Sequence, residues 1–183
     1  TLLASSAASD VYKRQDIKRD IVKMYIDNDI STIPIDVYIL CNRLGFILKP
    51  YSLLGIDKAN KLAQINEDGF SRVEGSDVVI YYNDSKPEGR VRFTIMHEIA
   101  HVIRKHKQYS ELAEAEANWY AAYALCPPPI VDKLNITDYE ELISKFNITN
   151  SCAYNSMNRY FSWKKRNVPL LEYENDLIRQ FGF

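Results

Sequence analysis

The chain has three histidines, and all of them fall in one segment, RFTIMHEIAHVIRKHK, residues 92–107. His97 and His101 flank Glu98 in the order His-Glu-x-x-His. On a helix, a four-residue step turns about 40° around the axis and rises roughly one turn, so both imidazoles leave the same face and can share one ion. Imidazole nitrogen is a preferred zinc ligand, and two ligands fixed on a rigid helix lose little entropy on binding. Glu98 lies about 100° further round, where its carboxylate can reach a water beside the ion and act as a general base without ligating. His106 would fall roughly 180° from His97 on a continued helix, so it reads as a surface or helix-end residue. The flanks, Phe93, Ile95, Met96, Ile99, Val102 and Ile103, are apolar. An unpaired Glu98 among them would be costly to bury, which makes a purely structural helix the poorer reading.

Catalytic zinc normally has three protein ligands and an open position. With no fourth histidine, and with Cys41, Cys126 and Cys152 poorly placed, the third ligand must be a carboxylate. The stretch ELAEAEANWYAAYALCP offers Glu111, Glu114 and Glu116. If one helix ends near His106 and the next begins near Ser110, an antiparallel pair sets Glu114 at about the height of His101. Glu111 sits a turn too close to the connection, and Glu116 points about 200° away from Glu114. Glu114 is therefore the candidate ligand, and Glu111 and Glu116 read as a solvated helix face. Asn118, one turn beyond Glu114, faces the same way and is a candidate to orient a ligand.

These residues need a helix pair to hold them. One helix is predicted over about 91–105, and a second from the Ser110 cap to Ala124 or Leu125, stopped by Pro127, Pro128 and Pro129. Upstream, DIKRDIVKMYIDNDI has helical apolar spacing. Pro34 suits the first turn of a further helix that buries Val37, Leu40, Cys41 and Leu44 and is capped by Gly45. FILKPY reads as a short strand. KLAQINEDGF and DVVIYYND read as two β-rich runs, which predicts a small, mostly antiparallel sheet. Downstream, Thr137 and Glu140 resemble a capping box. NSCAYNSMNRYFSWKKR then reads as a helix with Ile148, Ala153, Met157, Tyr160 and Phe161 on one stripe, followed by a polar tail. The expected fold is α+β: the sheet packed on the helix pair that carries the ligands, with C-terminal helices over about 137–166.

The composition sets few limits. A length of 183 residues suits one domain, and a formal charge of −1 gives no global attraction to nucleic acid or anionic lipid. Three scattered cysteines with no Cys-x-x-Cys argue against a disulfide framework and for a reducing cytoplasm. No apolar run approaches the ~18 residues of a membrane span. Residues 10–15, DVYKRQ, match the in-frame translation of a common transposon-derived sequencing adapter. Residues 1–15 are accordingly read as a non-native tail, and residues 16–183 as a single domain.

Two stretches, RVRFTIMHEIAH and EAEANWYAAYALCPP, resemble the ImmA/IrrE-type metallopeptidase family, whose pattern is close to RFTxAHExGH and ExEANxFAAxLLMP. The segment IDVYILCNRLGF resembles the family's short helix ending in Leu-Gly, and ISKFNITNSCAYNSMNRY its closing segment, so the likeness spans about residues 35–160. Ala100, Tyr120 and Cys126 depart from the family's glycine, phenylalanine and methionine without touching a proposed ligand. The resemblance implies a gluzincin-like site in which His97, His101 and Glu114 hold one zinc ion and Glu98 is the catalytic base. It also implies a zinc endopeptidase of bacteria, phages or mobile elements whose substrate is a co-encoded helix-turn-helix repressor. Two rival readings are a zinc-bound scaffold that does not cut, and a DNA-associated regulator using Lys164, Lys165 and Arg166. A near-neutral charge and so small a basic cluster weigh against the second.

Overall fold

The computed structural model describes residues 2–183, with side chains from Lys13 onward. The helix α1 (Leu2–Asp27) begins within the stretch read as a non-native tail. Among its described side chains, Ile17, Ile21, Val22, Met24 and Tyr25 are buried, at the spacing expected of an amphipathic helix. Tyr25 donates its hydroxyl hydrogen to the Ala124 carbonyl at 2.7 Å, tying α1 to a carbonyl near the end of another helix. The short α2 (Val37–Arg43) starts at Asp36, whose carboxylate accepts from the Tyr38 and Ile39 amides, both at 2.9 Å. Pro34 therefore precedes this helix instead of sitting in its first turn. Gly45 follows the helix at φ 73°, the left-handed position expected for it.

The sheet has three strands, β1 (Phe46–Pro50), β2 (Gly69–Glu74) and β3 (Asp77–Tyr82), in the order β1-β3-β2. β2 and β3 form an antiparallel hairpin around Gly75, at φ 66°, but β1 runs parallel to β3. The sheet is thus mixed, not mostly antiparallel. The hairpin has local turn signals, whereas the β1 pairing is made across about 30 residues and has none. The intervening KLAQI is a second correction, because it belongs to α3 (Ile56–Ile65), with Asn66 as its C-cap. Ala59, Leu62 and Ala63 lie at helical spacing and pack on a small cluster of Tyr51, Val79 and Tyr81. Their partial burial makes the stripe weak in the sequence.

The helix pair comes next, α4 (Glu88–Ile103) and α5 (Glu111–Leu125), with Ser110 accepting from the Ala113 amide at 3.1 Å as N-cap. α4 is buried along Val91, Ile95, Met96, Ile99 and Ala100, and α5 along Ala117, Tyr120, Ala121, Ala124 and Leu125. Buried Arg92 on α4 donates to the carbonyls of Asn147 and Phe146 at 3.1 and 3.5 Å. These lie at the end of α7 (Tyr139–Phe146), after α6 (Pro128–Lys133). The cap of α7 is Asp138, which accepts from the Glu141 amide at 2.9 Å, one residue beyond the predicted Thr137. α8 (Asn150–Lys164) buries Ala153, Met157 and Tyr160 as expected, but leaves Phe161 46% exposed.

The C-terminal residues form α9 (Glu172–Gln180) in place of a polar tail. Tyr173, Leu177 and Ile178 are buried, and Phe181 packs edge-on against Tyr25 at 5.9 Å. Glu174 is fully buried and satisfied. It accepts from Trp163 Nε1 at 2.7 Å, from Arg166 at 2.8 Å and from the Leu171 amide at 3.0 Å. No helix of the described residues is long and apolar enough to cross a membrane.

Candidate metal centre

α4 and α5 pack side by side and bring three donors to one point. His97 Nε2 lies 2.9 Å from His101 Nε2, 3.3 Å from Glu114 Oε2, and His101 Nε2 lies 3.3 Å from Glu114 Oε1. A tetrahedral ion bonded at about 2.0–2.1 Å needs donors about 3.3 Å apart, so this set fits a small divalent metal. Among the described residues, this is the group of histidine, cysteine and acidic side chains whose donor atoms converge within 4.8 Å.

The electrostatics suit the same use. Burial pushes the His97 imidazole down from its ordinary pKa, against the raising influence of Glu98 and Glu114. Burial does the same to His101, opposed by Glu114. Both rings are thereby biased to the neutral form, the form that ligates a metal. His97 Nδ1 is buried and closes no hydrogen bond among the described residues.

Glu98 is 8% exposed and does not join the three donors. Its Oε2 accepts from the Ser71 hydroxyl at 2.7 Å. Burial raises its pKa, and the Ser71 hydrogen bond offsets part of the rise. The result is a carboxylate held in one orientation and made more basic than a surface glutamate. Ser71 was not legible in the sequence, because it reaches Glu98 from β2 through non-local packing.

A cleft of 620 Å³ opens beside these groups. Its walls include Gly69, Phe70 and Ser71 of β2, Thr94 of α4, and Asn118 of α5. β2 is an edge strand, so its outer backbone faces away from β3. At the rim, Arg90 clasps Asp68 through two hydrogen bonds, 2.8 and 2.5 Å. Asn118 stands on the cleft wall one turn from Glu114, and its amide favours the charged form of His97.

Two expectations need correction. Glu111 is exposed as expected, but Glu116 is no solvated side chain. It accepts from Arg104 Nε at 2.6 Å, and Arg104 also pairs with Asp20. Although burial would raise the Glu116 pKa, the Arg104 hydrogen bond brings it below the usual range. His106 follows the end of α4, as a helix-end residue should, but does not sit across the helix from the site. α4 ends in a Schellman turn: the Lys105 amide donates to Val102 O at 3.1 Å and the His106 amide to His101 O at 3.0 Å, with Lys105 left-handed at φ 56°. That turn folds His106 back against His101, with their Nδ1 atoms 3.1 Å apart. The expectation failed because it extended the helix through a residue type that seldom adopts this conformation.

The family model described as the IrrE N-terminal-like domain, of the M78 peptidases, matches residues 56–153. This interval contains α3, β2, β3, all three donors, Glu98 and Ser71. No match was found among curated proteins or among solved structures. By the family match, the motif order and the convergence of His97, His101 and Glu114, the chain belongs to the ImmA/IrrE-type metallopeptidase family.

Proposed function

We propose that the protein is a zinc-dependent endopeptidase built on a zincin-like helix pair, with His97, His101 and Glu114 holding one zinc ion and Glu98 acting as general base. The observation that carries this reading is the placement of buried Glu98, oriented by Ser71, beside three converging donors in one cleft. Zinc is the ion that two neutral imidazoles and a carboxylate in a tetrahedral spacing suit best. Bound there, it supplies Lewis acidity, which polarises a carbonyl and acidifies water toward a pKa of about 7.

The protein's own residues supply the rest. Glu98 takes a proton from the attacking water and delivers it to the leaving amine, a base and then an acid. Burial raises its pKa, so it takes the proton more readily than a surface carboxylate and holds it for delivery. Ser71 keeps the carboxylate aimed into the cleft. The free edge of β2 offers backbone hydrogen bonds to an extended segment, so the substrate is a loop or hinge able to add as a strand. Backbone already paired in a helix or sheet cannot do so.

By the family resemblance, the substrate is a helix-turn-helix repressor encoded beside this protein in a phage, mobile element or stress system, and the site of action is the cytoplasm. Direct binding to nucleic acid has little support. Lys164 is paired with Asp132 and Arg166 with Glu174, which occupies two of the three basic residues considered for it. The purified protein, loaded with zinc and mixed with that repressor, should yield one cut in an exposed segment. Chelation should stop it. A repressor left intact by zinc-loaded protein, under conditions where repression is relieved in cells, would refute the endopeptidase reading.

A further inference from the structure

His106 lies in contact with a candidate ligand but is not one of the three converging donors. The Schellman turn puts its ring against His101 at a centroid distance of 5.0 Å, nearly perpendicular, with the two Nδ1 atoms 3.1 Å apart. Its other nitrogen, Nε2, lies 3.5 Å from Glu116 Oε1. Glu116 is fixed in turn by Arg104, and Arg104 by Asp20 on α1. His106 is only 13% exposed in its side chain, so these neighbours, not bulk water, decide where its proton sits.

The order of donors follows from the end of the chain. The carboxylate of Glu116, already paired with Arg104, can only accept. When His106 is in its neutral form, its proton sits on Nε2, facing Glu116, and Nδ1 is left as an acceptor. His101 must then donate from Nδ1, and its Nε2 is left with a free lone pair. That is the nitrogen that lies 3.3 Å from Glu114 and 2.9 Å from His97 Nε2. Ligand histidines elsewhere gain affinity when the ring nitrogen away from the metal is held in this way, usually by a carboxylate or carbonyl.

We propose that His106 is a positioning residue of the metal centre, which fixes the tautomer and ring orientation of His101 through a relay running His101, His106, Glu116, Arg104. The proposal rests on the metal-site reading of His97, His101 and Glu114. The relay also ties the site to α1, an element outside the 56–153 family match, through Asp20.

The test uses the full chain with His106→Phe, which keeps the packing but removes the acceptor, and His106→Gln, which restores an acceptor. Three quantities are read: the zinc dissociation constant by competition with a chromophoric chelator, the melting temperature of the metal-free protein, and the imidazole tautomers from nitrogen-detected NMR. In metal-free wild type, His101 should be protonated at Nδ1. His106→Phe should weaken zinc binding about 10–100-fold while the metal-free melting temperature stays within about 3 °C. His106→Gln should recover most of the affinity. Unchanged affinity in folded His106→Phe, equal loss in both variants, or an Nε2-protonated His101 in wild type would each overturn the positioning role. If His106→Phe does not fold, the wild-type tautomer and the Gln variant decide. A wild type that binds no zinc would overturn the metal reading itself, an outcome distinct from intact wild-type affinity that His106→Phe does not alter.

Discussion

Replacing Gly69 by alanine tests whether the approach of β2 to α4 sets the site. A Cβ at Gly69 would lie 2.5 Å from the Tyr81 carbonyl oxygen and 2.8 Å from Thr94 Cγ2. The first neighbour is backbone within the sheet and the second is a buried side chain on α4, so neither can move aside cheaply. An ordinary contact needs at least about 3.4 Å, which requires a shift of roughly 0.9 Å by the strand end. Overpacking of this kind costs about 1–3 kcal/mol, or about 2–12 °C in melting temperature for a domain of this size. Ser71 lies two residues on and faces the same side, so it moves with Gly69. A shift of that size would stretch the 2.7 Å Ser71–Glu98 hydrogen bond beyond useful range. Thermal melts, zinc content and turnover of a substrate cut by wild type should be measured together. The expected pattern is a moderate loss of stability, retained zinc and turnover reduced about 10-fold or more, since a misplaced base loses much of its effect. Ser76→Ala, in the exposed turn, should do neither. A Gly69→Ala protein with unchanged melting and turnover would refute the claim that this close contact positions Glu98.

Glu114→Ala should lose most bound metal in elemental analysis, whereas Glu111→Ala, altering an exposed residue, should keep near-stoichiometric metal; the reverse result would move the third ligand. Glu174→Ala leaves Trp163 and Leu171 donors unpaired in a buried place, and should cost about 3–5 kcal/mol, read as a melting-temperature drop on the order of 10 °C. A change of under about 1 kcal/mol there would show that α9 contributes little to the core. Deletion of residues 1–15 should leave the melting temperature within about 2 °C, because the adapter-like DVYKRQ marks them as a non-native tail and such tails contribute little to stability. A large drop would show that those residues belong to the fold.

The placement of the candidate donors was more legible than the scaffold. His97, Glu98 and His101 are fixed by helical periodicity alone, and Glu114 follows from matching heights across a short connection, because both arguments use only local geometry. In the structure, donor atoms of His97, His101 and Glu114 lie within 4.8 Å of one another. Ser71, Gly69 and the parallel pairing of β1 depend on contacts between distant segments, which no local pattern encodes. KLAQI was misread because a half-buried helix on a small cluster has few apolar positions with which to show its period. The C-terminal helix was missed because its apolar residues are separated by charges, one of which, Glu174, is itself buried. His106 was misplaced because a lysine, not a glycine, takes the left-handed position that ends α4.

Glu98→Gln tests the central claim most directly. The substitution keeps the size of the side chain and a group able to accept from Ser71, but removes the proton acceptor. Zinc content and melting temperature should match wild type, because Glu98 is not among the converging donors. Cleavage of the co-encoded repressor, followed by gel and mass spectrometry with both proteins purified, should fall by at least ~100-fold. Equal relief of repression by wild type and Glu98→Gln, with no cleavage product from either, would contradict the peptidase account and leave a zinc-bound scaffold in its place.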